Sequence, residues 1–191
     1  MPRPSRDRLL DAAVELLQRQ GFHGTGLNEL LERSEAPRGS LYHYFPGGKE
    51  QIGAEAIARA GDQVAAAVAH LVRTTPSVAD AVEALAALLA AGLETSDFER
   101  GCPVATTALE VTPRSEPIRA AAQASFERWL APLRDRLAAT GFDRLEAARR
   151  ADLAIATLEG ALVLARARRN ADVLRDVGHQ LRPLLRPPQD R

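Results

Sequence analysis

An excess of charge of either sign is missing: 25 Lys and Arg balance 25 Asp and Glu over 191 residues, for a formal net charge of zero. Bulk charge therefore names no polyanionic partner, and any nucleic-acid contact must come from a local cluster. A single cysteine, Cys102, excludes an internal disulfide and a thiolate metal cage. Aromatics make up only 4%, and the 46% hydrophobic share is mostly Ala and Leu, a balance that favours helix over strand and is too apolar for disorder. The first residues, up to Asp7, are polar and carry Arg3 and Arg6, without the apolar core of a signal peptide. The longest nearly apolar run, Leu153 to Ala165, holds Glu159 and is too short to cross a bilayer. A soluble cytoplasmic protein with no membrane partner is expected. The histidines His23, His43, His70 and His179 are scattered without metal-ligand spacing, and neither a GxSxG elbow nor a Walker loop is present. No metal, cofactor or enzymatic activity is expected. Cys102 reads as a small buried hydrophobe, with a redox-sensing thiol as the alternative.

Helical periodicity fills the chain, so the expected fold class is all-α. Leu9, Ala12, Ala13, Leu16 and Leu17 share one face of a helix over 6–20, with Gly21 as its C-cap. A second helix spans 27–33 with Leu27, Leu30 and Leu31 inward, and Thr25 or Gly26 caps it. After a break at Glu35 to Pro37, a short third helix covers 38–44, Pro46-Gly47-Gly48 punctuates, and a long helix runs over 49–73. Further helices are expected over 78–94, 104–111, 117–139, 143–169 and 171–185, the last stopped by Pro187-Pro188. Three short helices followed by a larger helical set divide the chain into a helix-turn-helix domain, 1–48, and a helical-bundle domain, 49–191, joined by the helix over 49–73.

The third helix carries the chemistry that DNA contact requires. From Ala36 to Lys49 there is no carboxylate, while Arg38, His43, Lys49, Ser40, Tyr42 and Tyr44 offer cations and hydroxyls for phosphates and base edges. Gly39 removes a side chain near the helix start and lets the backbone approach closely. Lys49 is the chain's single lysine. It opens a helix, where the dipole disfavours a cation unless an anion sits between ammonium and helix amides. The bland alternative is a solvated surface lysine. For Tyr42 and Tyr44 the alternative is packing, with one of the two inward, and Phe45 belongs to the core.

The literal residues sharpen this reading. Gly21-Phe22-His23-Gly24-Thr25-Gly26-Leu27-Asn28, followed by Ala36-Pro37-Arg38-Gly39-Ser40-Leu41-Tyr42-His43-Tyr44-Phe45-Pro46-Gly47-Gly48-Lys49-Glu50, closely resembles the DNA-binding domain of TetR-family regulators. Thr-Gly-Leu-Asn, Pro-Gly-Gly-Lys-Glu, Gly101-Cys102-Pro103-Val104-Ala105 and Leu158-Glu159-Gly160-Ala161-Leu162 resemble the LmrA/YxaF-like subgroup. The resemblance implies a homodimeric repressor that binds double-stranded operator DNA. It implies DNA contacts at Thr25, Gly26, Arg38, Gly39, Ser40, Tyr42, His43, Tyr44 and Lys49. Two departures stand out. Gly26 replaces a hydroxyl residue common in the family, and Glu35 replaces a turn glycine, so Glu35 either carries positive-φ strain or the turn differs.

In the second domain, the stretch from Leu153 to Ala165 is apolar nearly all round and needs cover on opposite faces. It is either the centre of a monomeric bundle or a helix shared between its own core and a partner subunit. By the resemblance, it and the last helix form an intersubunit four-helix bundle, with Ala151, Ala154, Gly160 and Ala161 allowing close approach. Asp152, Glu159 and Arg166 recur every seven residues on one stripe, so Glu159 either pairs with an arginine or faces a polar cavity. A ligand pocket needs apolar walls and a few polar groups. The candidates are His70, Phe98, Cys102, Thr106, Thr107, Phe126, Trp129 and Glu159, each alternatively a core residue. The resemblance implies a small, often flat and hydrophobic effector.

Overall fold

The apolar face foreseen for the first helix is buried: Leu9, Ala13, Leu16 and Leu17 are each at most 2% exposed. They lie on α1 (Ser5–Gly24) of a computed structural model that describes residues 4–187. Arg3 and Pro188 lie outside the described residues. The chain continues as α2 (Leu27–Ser34), α3 (Arg38–Tyr44), α4 (Gly48–Thr74), α5 (Val78–Thr95), α6 (Pro103–Val111), α7 (Glu116–Ala139), α8 (Arg144–Arg168) and α9 (Asp172–Leu181). A 3-10 turn, Arg182–Leu185, follows α9. No strand occurs among the described residues, so the fold is all-α.

Two ends differ from the sequence expectation by more than one residue. Gly21 does not stop α1 but kinks it at φ 72°, and one further turn runs to Gly24. The final helix ends at Leu181 rather than 185, because Pro183 has no amide hydrogen to continue the α-helical ladder and the chain tightens into the 3-10 turn.

Packing groups the chain into two compact units. The first runs through Asp62 and includes Cys102–Ser125; the second comprises Gln63–Gly101 and the chain from Phe126 onward. In the first unit α1 packs against α2, α3 and α6. Leu30, Leu41, Phe45, Ile57, Val104 and Ile118 join its core at no more than 1% exposure. Arg59 of α4 bridges Asp7 at 3.1 Å and Asp11 at 2.8 Å on α1, fixing the two helices at their polar edge. Glu35 takes the left-handed conformation at φ 51°, so the strained alternative is the one realised. Arg8 donates to its carbonyl at 3.2 Å, and its own amide is held by Glu32 O at 3.2 Å.

In the second unit α5 packs on α9, the 3-10 turn and α8, and α9 packs on α8. Trp129, Leu133 and Leu137 of α7, Val82 of α5, Leu158 of α8 and Leu174 of α9 are each at most 1% exposed. An ion cluster closes the α5 end. Arg182 lies 2.8 Å from Asp80 and also contacts Glu83, whose Oε1 is 3.3 Å from His179 Nδ1. Hydrogen bonds from Ser77 and then Arg182 hold the Asp80 carboxyl below the usual carboxylate range, and the Arg182 bond does the same for Glu83. Depressed carboxyl pKa values stabilise the fold above the unfolded-state values and lose that stabilisation as pH falls through the folded ones. The melting-temperature gap between the native chain and Arg182→Gln should therefore be widest above about pH 5 and close toward about pH 3. Parallel curves over that range would show that the cluster contributes no pH-dependent stability.

Candidate nucleic-acid interface

The third helix sorts its residues cleanly. Leu41 and Phe45 point inward at 1% and 0% exposure. Arg38, Gly39, Tyr42 and His43 lie on the outer face, with Tyr42 63% exposed. Tyr44 is half-buried and meets the His43 ring edge-on at 4.9 Å between centroids. Of the two tyrosines, neither is fully buried, and Tyr44 is the more inward. Ser40 is half-buried, and its hydroxyl donates to Pro37 O at 2.6 Å, leaving its lone pairs to accept. A Cβ on Gly39 would meet nothing within 4 Å, so the approach to this surface is open.

The start of α2 is different. Thr25 is 5% exposed, and its hydroxyl donates to Gly21 O at 2.7 Å, so the side chain closes the kinked end of α1 from inside rather than facing outward. Gly26 is exposed at the N-cap of α2, which has no side-chain cap. The first amides of α2 are thus left for an outside acceptor or water.

Lys49 sits in the first turn of α4, half-buried. Its Nζ lies 4.8 Å from the centre of the Phe22 ring and donates to His23 O at 3.4 Å. Burial pulls its pKa below the usual lysine value, and the carboxylate of Glu110 partly opposes that. The ammonium is held by cation–π contact and one carbonyl, which leaves donor hydrogens for a phosphate. Glu110 and Phe22 were not singled out by sequence. Phe22 adjoins the motif glycine, but Glu110 stands 87 residues from the His23 amide it accepts, and no local spacing signals that contact.

A short reading helix with a basic and hydroxyl-bearing outer face, set behind two packed helices, is a helix-turn-helix. Residues 9–56 match the model for bacterial regulatory proteins of the tetR family, and residues 78–180 match the C-terminal domain of LmrA/YxaF-like transcriptional regulators. The chain belongs to the TetR family of transcriptional regulators, LmrA/YxaF-like branch. The regulator is 38% identical over 185 residues to the HTH-type transcriptional regulator Rv0196 of Mycobacterium tuberculosis, covering 94% of this chain and 93% of that one. It is 31% identical to the HTH-type transcriptional regulator LmrA of Bacillus subtilis, covering 95% and 97%. A solved cysteine mutant of the TetR-family regulator CifR, complexed with a 26-bp operator duplex, has a TM-score of 0.78 at 28% identity and covers 96% of this chain and 98% of that one. These relatives are regulators of transcription, not enzymes.

The candidate effector residues of the regulator are spread over several elements. Phe126 and Trp129 touch edge-on at 5.0 Å, Phe126 half-buried and Trp129 1% exposed. Phe98, half-buried, has φ 62° and lies 5.6 Å from the Arg169 guanidinium. His70 is exposed on α4, and Glu159 is half-buried on α8. Cys102 caps α6, its sulfur accepting from the Ala105 amide at 3.4 Å, and Thr106 is half-buried one turn on. Thr107 is fully buried, with its hydroxyl unpartnered, whereas Thr112 at the end of the same helix donates to Ala108 O at 2.8 Å. An unpaired buried hydroxyl costs about 1–3 kcal/mol, a cost that a bound polar group would remove.

Proposed function

We propose that this regulator is a homodimeric repressor that sits on a near-palindromic operator and is released by a small lipophilic effector. The observation that carries the reading is the outer face of α3, where Arg38, Tyr42 and His43 stand exposed with no carboxylate among them. Arg38 reads a base edge, and guanine is the base whose O6 and N7 suit a guanidinium. Ser40, Tyr44, Gly39, the uncapped start of α2 after Gly26, and Lys49 supply backbone contacts that set the register, while Thr25, its amide and hydroxyl bonded to Phe22 O and Gly21 O, braces that start from inside. The CifR complex with operator DNA supports the same use of the fold here.

The dimer rests on α8. Its inner face, Ala151, Ala154, Ile155, Leu158, Ala161, Leu162 and Ala165, is buried within the chain. Leu153, Ala156, Gly160, Val163 and Leu164 remain exposed along the outer face. Of the small residues expected to admit a partner, Gly160 lies on the outer face, while Ala151, Ala154 and Ala161 are used internally. A second copy of α8 suits an apolar stripe of this kind, and a two-fold dimer pairs two reading helices with two half-sites. Residues 1–48 then read DNA, and residues 49–191 sense and dimerise. Of the effector candidates, His70, Phe98, Phe126, Trp129 and Glu159 belong to the second unit, and Cys102, Thr106 and Thr107 to the first. The effector acts only through its greater affinity for a dimer with misplaced reading helices. No helix among the described residues is long and apolar enough to cross a membrane, which accords with a protein acting on DNA in the cytoplasm.

The test starts from duplexes selected out of a random-sequence pool. Arg38→Ala should weaken binding by about 1–3 kcal/mol at one position of each half-site and relax the preference there. Equal loss on every sequence would make Arg38 a phosphate contact and move base reading elsewhere.

A further inference from the structure

The kinked turn from Gly21 to Gly24 is held by side chains from three directions. Thr25 Oγ1 donates to Gly21 O, and Gln20 Nε2 donates to Gly24 O at 3.0 Å. His23 is held at both ends of its backbone. Its N–H donates to Glu110 Oε2 at 2.9 Å, and its carbonyl accepts from Lys49 Nζ. Glu110 comes from α6, which packs along α1 within the same compact unit. The carboxylate fits only because position 21 carries no side chain: a Cβ there would run into Oε1 and lie 3.0 Å from Cδ. Gly21 therefore serves two ends, the positive φ of the kink and the niche for the carboxylate.

We propose that Glu110 is a positioning residue for DNA binding, which fixes the backbone of His23 and thereby presents the Lys49 ammonium to a DNA phosphate. The inference rests on the reading of Lys49 as a phosphate contact. Lysine is a point charge on a flexible four-carbon stem, and its use as a ligand depends on what restrains it. Here the restraints are the Phe22 ring and the His23 carbonyl. Both belong to a turn whose one cross-helix tether at the His23 amide is Glu110. The carboxylate also opposes the loss of charge that burial imposes on Lys49. Electrostatics alone would give Glu110 the opposite role, because a carboxylate near a phosphate repels it. The two roles thus predict effects of opposite sign.

The experiment measures the affinity of the full chain for a fluorescently labelled mixed-sequence duplex across a salt series, for Lys49→Ala, Glu110→Gln, Glu110→Met and the Lys49→Ala/Glu110→Met pair. Glu110→Gln keeps an oxygen that accepts from His23 and should bind within about twofold of native with the same salt slope. Glu110→Met has no such acceptor; it should bind about tenfold more weakly and lower the slope by about one unit, as Lys49→Ala does. The pair should be no weaker than Lys49→Ala alone, since both changes remove one contact. Tighter binding by Glu110→Gln, unchanged binding by Glu110→Met or additive losses in the pair would overturn the proposal. Should Glu110→Met not fold, Glu110→Ala takes its place with the same expected losses of affinity and slope. A Lys49→Ala slope equal to native would instead refute the phosphate reading itself, a result distinct from a normal Lys49→Ala loss with no Glu110 effect.

Discussion

Val163→Asp should yield a folded monomer that binds selected operator DNA at least about a hundredfold more weakly than the native chain. Val163 is 62% exposed on the outer face of α8, flanked by Leu153 at 47% and Leu164 at 46%. Fully burying such a side chain from water is worth about 1.5–3 kcal/mol, and among the described residues these three remain about half exposed or more, so a partner's cover would gain part of that. Gly160, exposed on the same face, has open space around a hypothetical Cβ, so a second helix can approach closely there. In the proposed seam an aspartate at 163 brings a carboxylate from each copy into an apolar interface, and desolvating the two like charges costs more than the seam gains. The single chain is spared, because position 163 is solvent-facing within it. Losing the partner removes the second half-site contact, and with it the gain from joining two weak readers. Sedimentation velocity and fluorescence anisotropy read both effects. A variant that still sediments as a dimer and binds like native would place the interface on another face.

The element order and the outer face of α3 were legible because both are written in short-range pattern. Pro46-Gly47-Gly48 marks the end of α3, and a stretch without carboxylates marks its outer side. Phe45 could be assigned inward because it is large and lacks a polar handle. What periodicity does not show is what covers a face. The all-round apolarity of α8 did not show that Ala151, Ala154 and Ala161 belong to the face covered within the chain. Thr25 was readable as a residue at a helix start, yet its hydroxyl is spent on Gly21 O, a bond that depends on the kink at Gly21. Glu110 was beyond reach because its partner at His23 is set by the packing of α6 on α1, a long-range event with no local signature.

Trp129 shows the same division between residue type and surroundings. As the chain's single tryptophan it is a natural candidate for an effector wall, but at 1% exposure it heads the largest fully buried side chains of the fold. Trp129→Ala should therefore cost about 3–5 kcal/mol of stability, the range for removing a buried aromatic side chain. For a chain of this size that lowers the melting temperature by about 6–20 °C. Part of that loss, about 0.5–1.5 kcal/mol, is the edge-on contact with Phe126. Trp129→Phe keeps most of the volume and should lose much less. Indole added in solution should raise the melting temperature of Trp129→Ala more than that of the native chain, because the substitution opens an apolar cavity of that shape. A tryptophan that served chiefly as an effector wall would behave in the reverse order. Trp129→Ala would then melt close to native and lose its effector response, and indole would act on both proteins alike.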